Sequence, residues 1–152
     1  MDQKSGISRF NVRIYGVLFS NDRQRVLVSD EFRFGRAFTK FPGGGLEFGE
    51  GVLDALKREF YEEMEIDVLK ASLFYINENF QDSAFSKKEQ LLSIYYLIEE
   101  YSGRLPMIAQ ERFDFDQVEE AQSFRWIEIS KMSEEEFTFP VDKVISNKLK
   151  LL

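Results

Sequence analysis

The chain has no cysteine and no histidine. The first absence excludes disulfides, thiolate metal sites and cysteine nucleophiles. The second removes the commonest general base and the usual zinc ligand. Any acid–base or metal chemistry must fall on carboxylates, lysines or tyrosines. There is no tract of five or more basic residues, and acidic residues outnumber basic ones 27 to 20, for a net charge of −7. That balance argues against broad binding to nucleic acid or to an anionic membrane. No apolar run approaches membrane-spanning length, and the opening MDQKSGISRF has no apolar signal-type stretch. For a complete chain, these absences make a cytoplasmic protein the expectation.

What is present is enough for a core. Hydrophobic residues make up 43% of the chain, with sixteen Phe, which is too many for a disordered segment. A length of 152 residues suits one domain, 1–152. Internal repeats and low-complexity linkers are absent.

The coarse order of elements is legible. Phe10 to Phe19 reads as a strand, Asn21-Asp22 as a turn, and Arg25 to Ser29 as its hairpin partner. Phe38 to Phe41 is a short extended piece, stopped by Pro42-Gly43-Gly44-Gly45. The period of Gly51 to Met64 predicts a helix, with Leu53, Leu56, Phe60 and Met64 on its core face. Val68 to Phe80, Gln90 to Tyr101 and Phe124 to Ile129 read as strands. The second of these is apolar on both faces and is expected to be covered on both sides. Pro140 fits the first turn of a terminal helix whose buried side carries Val141, Val144, Ile145 and Leu149. The sum is an α/β fold: a mixed β-sheet with helices on both faces, an α/β/α sandwich.

Residues 44–66, GGLEFGEGVLDALKREFYEEMEI, fit the pattern G-x5-E-x7-R-E-U-x-E-E-x-G-U, where U is bulky and apolar. Gly44, Glu50, Arg58, Glu59, Phe60, Glu62, Glu63 and Ile66 fall in place, and Glu65 stands where the pattern has glycine. This is the Nudix box, and the chain resembles the Nudix hydrolases. The resemblance implies the same sandwich. It also implies metal-dependent cleavage of a pyrophosphate bond in a nucleoside diphosphate linked to another group. A loop carbonyl that ligates metal in the family maps to Gly43. Glu50 and Arg58 are expected to pair and pin the loop to the helix, with Arg58 also steadying Glu59.

On the helix, Glu59, Glu62 and Glu63 are spaced i, i+3, i+4 and share a flank. Crowded carboxylates repel one another, and a hard cation, Mg2+ or Mn2+, relieves that repulsion. Taken alone, such a face is an ordinary solvated acidic surface; the glycine loop, Glu50 and Arg58 at fixed spacings set it apart. The catalytic candidates are Glu59, Arg58, Glu62 and Glu63. The metal candidates are Gly43, Glu59, Glu62 and Glu63, with Gly44 and Glu50 as support. A further base or ligand is sought in the acidic loop before the last strand, at Glu119 or Glu120, against the reading of a plain exposed loop. Glu47 is either an outer-shell group or solvated. Tyr15, Tyr75, Phe80 and Phe85 are candidates to stack a base, and Arg33, Arg36 and Lys40 to touch phosphates. Core packing and solvation are the plainer readings for these.

The expected partner is a small nucleotide-type substrate, with monomer and homodimer both open. A Nudix-fold domain that binds a nucleotide-linked metabolite without turnover is the alternative to an enzyme. The intact carboxylate set favours the enzyme.

Overall fold

The structure, a computed structural model, describes residues 6–152. In chain order the elements are β1 (Arg9–Leu18), β2 (Arg25–Arg33), β3 (Arg36–Lys40), β4 (Gly43–Gly45), α1 (Val52–Met64), β5 (Asp67–Ile76), β6 (Glu89–Ser102), β7 (Ala121–Glu128) and α2 (Pro140–Leu149), with two short 3-10 turns between β7 and α2. They form two sheets, β4-β1-β6-β5 and β3-β2-β7. β1 and β6 run parallel and carry the centre of the first sheet.

Alternation along β1 builds both layers. Tyr15 and Val17 point to one core, which α2 closes with Val141, Ile145 and Leu149. Ile14 and Leu18 point to the other, which α1 closes with Leu56, Phe60 and Met64. β2 alternates in the same way, with Val26 and Val28 on the α2 side and Leu27 on the α1 side. The result is the α/β/α sandwich expected from the sequence. Burying side chains such as Leu56 and Phe60 stabilises it by roughly 2 kcal/mol each. Among the described residues no helix is long and apolar enough to cross a membrane.

Three local expectations need correction. The β1–β2 hairpin survives only as one bridge, Phe19 to Val26. Beyond it β2 continues to Arg33 and pairs with β3 and β7 instead, so the two strands enter different sheets. Leu53 lies on the apolar side of α1 but in its first turn, past the edge of the core, and is 37% exposed. Val144 is likewise 40% exposed, while Asp142, not assigned to the buried side, is buried.

Glu65 ends α1 in the left-handed conformation, φ 56° and ψ 34°, the geometry that glycine adopts without strain. Its N–H donates to the Tyr61 carbonyl at 2.8 Å, and Ile66 N–H reaches the Phe60 carbonyl at 3.4 Å. A side chain in this region costs about 1–2 kcal/mol, partly offset by the extra unfolded-state freedom of glycine. Glu65→Gly should therefore stabilise the protein by up to about 1 kcal/mol and leave turnover unchanged. A lower denaturant midpoint for the variant would contradict the strain.

Candidate active site

A cavity of about 410 Å³ opens between the two sheets at the glycine loop, and Gly43, Gly44, Gly45, Glu59 and Glu63 line its inner wall. β4 holds the loop there by pairing Gly43 with Tyr15 and Gly45 with Arg13. Gly43 has φ +150°, and a Cβ would run into the backbone of Ile14 and Tyr15. A Cβ on Gly44 would fall on the Glu59 carboxylate. These two glycines leave the space in which the carboxylate sits.

The helix turns the three box carboxylates to different depths. At about 100° per residue, Glu63 lies nearest the Leu56–Phe60 face, Glu59 next and Glu62 furthest round toward solvent. Burial separates them accordingly: Glu63 and Glu59 are half-buried and Glu62 is exposed. Glu63 and Glu59 face the cavity. The Glu62 side chain is 59% exposed and outside the cavity lining. It is held instead by Arg58, Nη1 to Oε2 at 3.3 Å.

Arg58 is the hub of the loop–helix junction. Its Nη2 and Nε grip the two oxygens of Glu50 at 2.7 and 3.0 Å. Nη2 also donates to the Gly45 carbonyl at 2.8 Å, and Nη1 to Glu59 Oε1 at 3.0 Å. Glu50 in turn accepts the Glu47 N–H at 2.9 Å. These bonds hold the Glu50 carboxyl below its ordinary range and push the guanidinium further up, Glu50 being the main cause. Glu47 itself points to solvent, 3.7 Å from Arg58.

Around Glu63 the wall is completed by residues from the second sheet. Glu31 on β2, its cross-strand partner Gln122 on β7, and Lys40 at the end of β3 lie on one face. The Glu31 carboxylate takes Ser29 Oγ at 2.9 Å and Lys40 Nζ at 3.0 Å. Glu31 and Gln122 were not among the sequence candidates. A signal was there: β2 runs Leu27, Ser29, Glu31, Arg33 on one face, turning polar where a core strand should stay apolar.

The outer end is aromatic. Phe85 packs against Phe34, Phe38 and Phe139 at centroid distances of 5.2, 5.6 and 5.7 Å, with Arg36 over its ring. Deeper in, Tyr15 packs against Tyr95 with tilted rings 5.0 Å apart, and Tyr95 donates its hydroxyl to the buried Asp142 at 2.6 Å. Tyr15 and Phe85 thus line the cavity, whereas Tyr75 does not.

The acidic loop goes elsewhere. Glu119 accepts the N–H groups of Phe34 and Gly35 at 2.9 and 2.8 Å, bracing the β2–β3 turn. Glu120, at φ 70°, donates its N–H to Phe32 and is exposed. The structure brings neither to the cavity.

One Glu63 oxygen, Oε2, is buried with no hydrogen-bond partner among the described residues. An orphaned carboxylate oxygen beside Glu59 and a glycine carbonyl is an all-oxygen donor set, which suits Mg2+ or Mn2+ and not a soft metal. No three Asp or Glu side chains among the described residues converge into a closed cage. Mg2+ needs none, because it keeps waters and substrate phosphates in its shell.

Burial pushes the Glu63 carboxyl up to about 7, against the downward pull of Lys40. Burial also raises Asp142 to about 7, against the hydrogen bond from Tyr95. A carboxyl whose folded pKa is raised holds its proton more tightly in the native state. Its contribution to stability is full below about pH 4 and is lost as pH rises toward 7. Without metal, the stability of the parent relative to Glu63→Gln should fall as pH rises through that window. Melting both proteins between pH 4 and 8 measures it, and a difference independent of pH would contradict the burial.

The NUDIX domain model matches residues 10–147, and the chain belongs to that family. It is 31% identical over 84 residues to an RNA pyrophosphohydrolase of Ruthia magnifica subsp. Calyptogena magnifica. The match covers 52% of this chain and 46% of that protein, so the chain spans about half the length of this curated relative. Among solved structures it is similar to MutT from work on Aliivibrio salmonicida and Vibrio cholerae, with a TM-score of 0.69 at 21% identity, covering 93% of this chain and 98% of that one. It is also similar to a MutT NUDIX hydrolase from Burkholderia pseudomallei, with a TM-score of 0.68 at 18% identity, covering 92% and 98%. At these identities the structures establish the shared fold.

Proposed function

We propose that the chain is a divalent-metal-dependent pyrophosphohydrolase acting on a nucleoside diphosphate linked to another moiety. The observation that carries this reading is the pair Glu59 and Glu63 facing one cavity beside the Gly43–Gly45 loop, with Glu63 Oε2 unpartnered. Gly43, Glu59 and Glu63 would hold the cation, and Glu62 lies too far round the helix to join them directly. The bound ion supplies charge neutralisation at phosphorus and a water of lowered pKa.

The residues of the chain do the rest. Arg58 fixes the Glu59 carboxylate, and the Glu50 grip on Arg58 fixes the loop against the helix. Glu59 is the candidate to take the proton from the attacking water, being partly exposed to the cavity and held in one orientation. Arg33 and Arg36 stand at the rim with exposed guanidinium groups and favour an anionic chain of phosphates. The exposed ring of Phe85 offers a face on which a nucleobase can stack.

A hydrolysis screen with Mg2+ and Mn2+, in which the released phosphate, pyrophosphate, nucleotide and sugar-phosphate products are separated by chromatography, tests the reading. The substrates are nucleoside triphosphates, ADP-ribose, nucleotide sugars, dinucleoside polyphosphates and 5′-triphosphate RNA. Metal-dependent release from at least one supports the enzyme. Saturable binding without release would replace it with the nucleotide-sensing domain.

A further inference from the structure

Lys40 is 5% exposed and Glu31 is 3% exposed, yet both line the cavity rather than the hydrophobic core. The Lys40 ammonium has three protein acceptors: Glu31 Oε2 at 3.0 Å, and the Phe41 and Gly43 carbonyls at 3.3 Å each. It also lies 5.5 Å from the centre of the Tyr15 ring. With every ammonium hydrogen directed at the protein, this lysine is poorly placed to hold a substrate phosphate. A buried ion pair is also weak as a stability device, because desolvation offsets the attraction. The position of the charge gives it a use. It sits on the carbonyl of Gly43 and beside a wall of carboxylates, Glu31, Glu59 and Glu63.

We propose that Lys40 is a positioning residue that stands in for the metal when none is bound. Its ammonium occupies the Gly43 carbonyl and balances the negative wall, so loop and carboxylates are in place before a divalent cation arrives. The same fixed charge lowers the affinity of the site for that cation, since a metal approaching Gly43, Glu59 and Glu63 meets a positive neighbour that also competes for one ligand. The inference rests on the metal-site reading above.

The test is calorimetric titration of Mn2+ into the parent, Lys40→Met and Lys40→Arg proteins, with metal-free melting of each. Lys40→Met should melt lower without metal and bind Mn2+ about tenfold tighter or more, as expected when a unit charge a few ångströms away is removed from a partly screened site. Lys40→Arg keeps the charge and should stay within a few-fold of the parent in affinity. A merely structural lysine would lower the melting temperature of Lys40→Met without tightening Mn2+ binding, and that result overturns the inference while leaving the metal site standing. A parent that takes up no Mn2+ overturns both. Should Lys40→Met not fold, the double variant Lys40→Met/Glu31→Gln removes the pair together. It too should bind Mn2+ more tightly, because Lys40 is the member in contact with Gly43, and weaker binding in it would equally overturn the inference.

Discussion

Glu63→Gln is expected to remove nearly all turnover, a loss of about a hundredfold or more, while the protein stays folded. Glu63 is one of the two box carboxylates that line the cavity, and it carries the oxygen with no partner among the described residues. Its environment penalises the charge unless a cation is present, with Glu31 and Glu59 adding repulsion. The amide keeps the shape and loses the charge, and under the proposed function it would leave the cation one anionic ligand short. Metal-free stability near neutral pH should hold or rise, because the strained negative charge is gone. Activity at saturating Mg2+ and a metal-free melt on the same preparation decide it. Turnover within a few-fold of the parent would remove Glu63 from the metal site.

Arg58→Ala should damage both stability and catalysis. The guanidinium joins Glu50, Gly45, Glu59 and Glu62 through five hydrogen bonds. Truncation leaves the Gly45 carbonyl and the Glu50 carboxylate without their main partner at the point where the glycine loop meets the helix. A drop of several degrees in metal-free melting temperature is expected. Glu59 loses the group that orients it, and a displacement of about 1 Å in such a group commonly costs about a hundredfold in rate. Arg58→Lys should recover only part of either loss, since one ammonium cannot span both Glu50 oxygens and reach Glu59. A melting temperature equal to that of the parent would reduce Arg58 to a surface cation.

These two expectations differ in how far they could be read without a structure. The Arg58–Glu50 grip was legible from the resemblance to the Nudix box, with which the spacing of eight agrees. The depth of Glu63 relative to Glu62 follows from helix geometry at about 100° per residue, although the i, i+3, i+4 spacing alone groups all three carboxylates on one flank. The left-handed end at Glu65 was likewise open to reading, because Ile66 keeps the apolar position beyond it. The direction of Glu119 was not. Its carboxylate binds Phe34 and Gly35, residues 85 and 84 positions away, and no local pattern encodes that pairing.

By itself, the sequence determined most of the elements, the two apolar faces of the sandwich and the loop–helix that carries Gly43, Glu59 and Glu63. Each follows from periods of two or 3.6 residues and from glycine and proline placement, which are short-range properties of the chain. β4, a run that reads as a breaker, is a strand because it pairs with β1. Tertiary structure alone decided which strands share a sheet, that Glu119 turns away to the β2–β3 turn, and that Glu31 and Lys40 line the cavity with Gln122 paired beside Glu31. β2 leaves β1 after one bridge to pair with β3 and β7, and this choice sets Glu31 opposite Gln122 and Ser29 opposite Lys40. Strand pairing depends on burial summed over the whole sheet, so residues distant in sequence acquire their charge environment only when the sheets close.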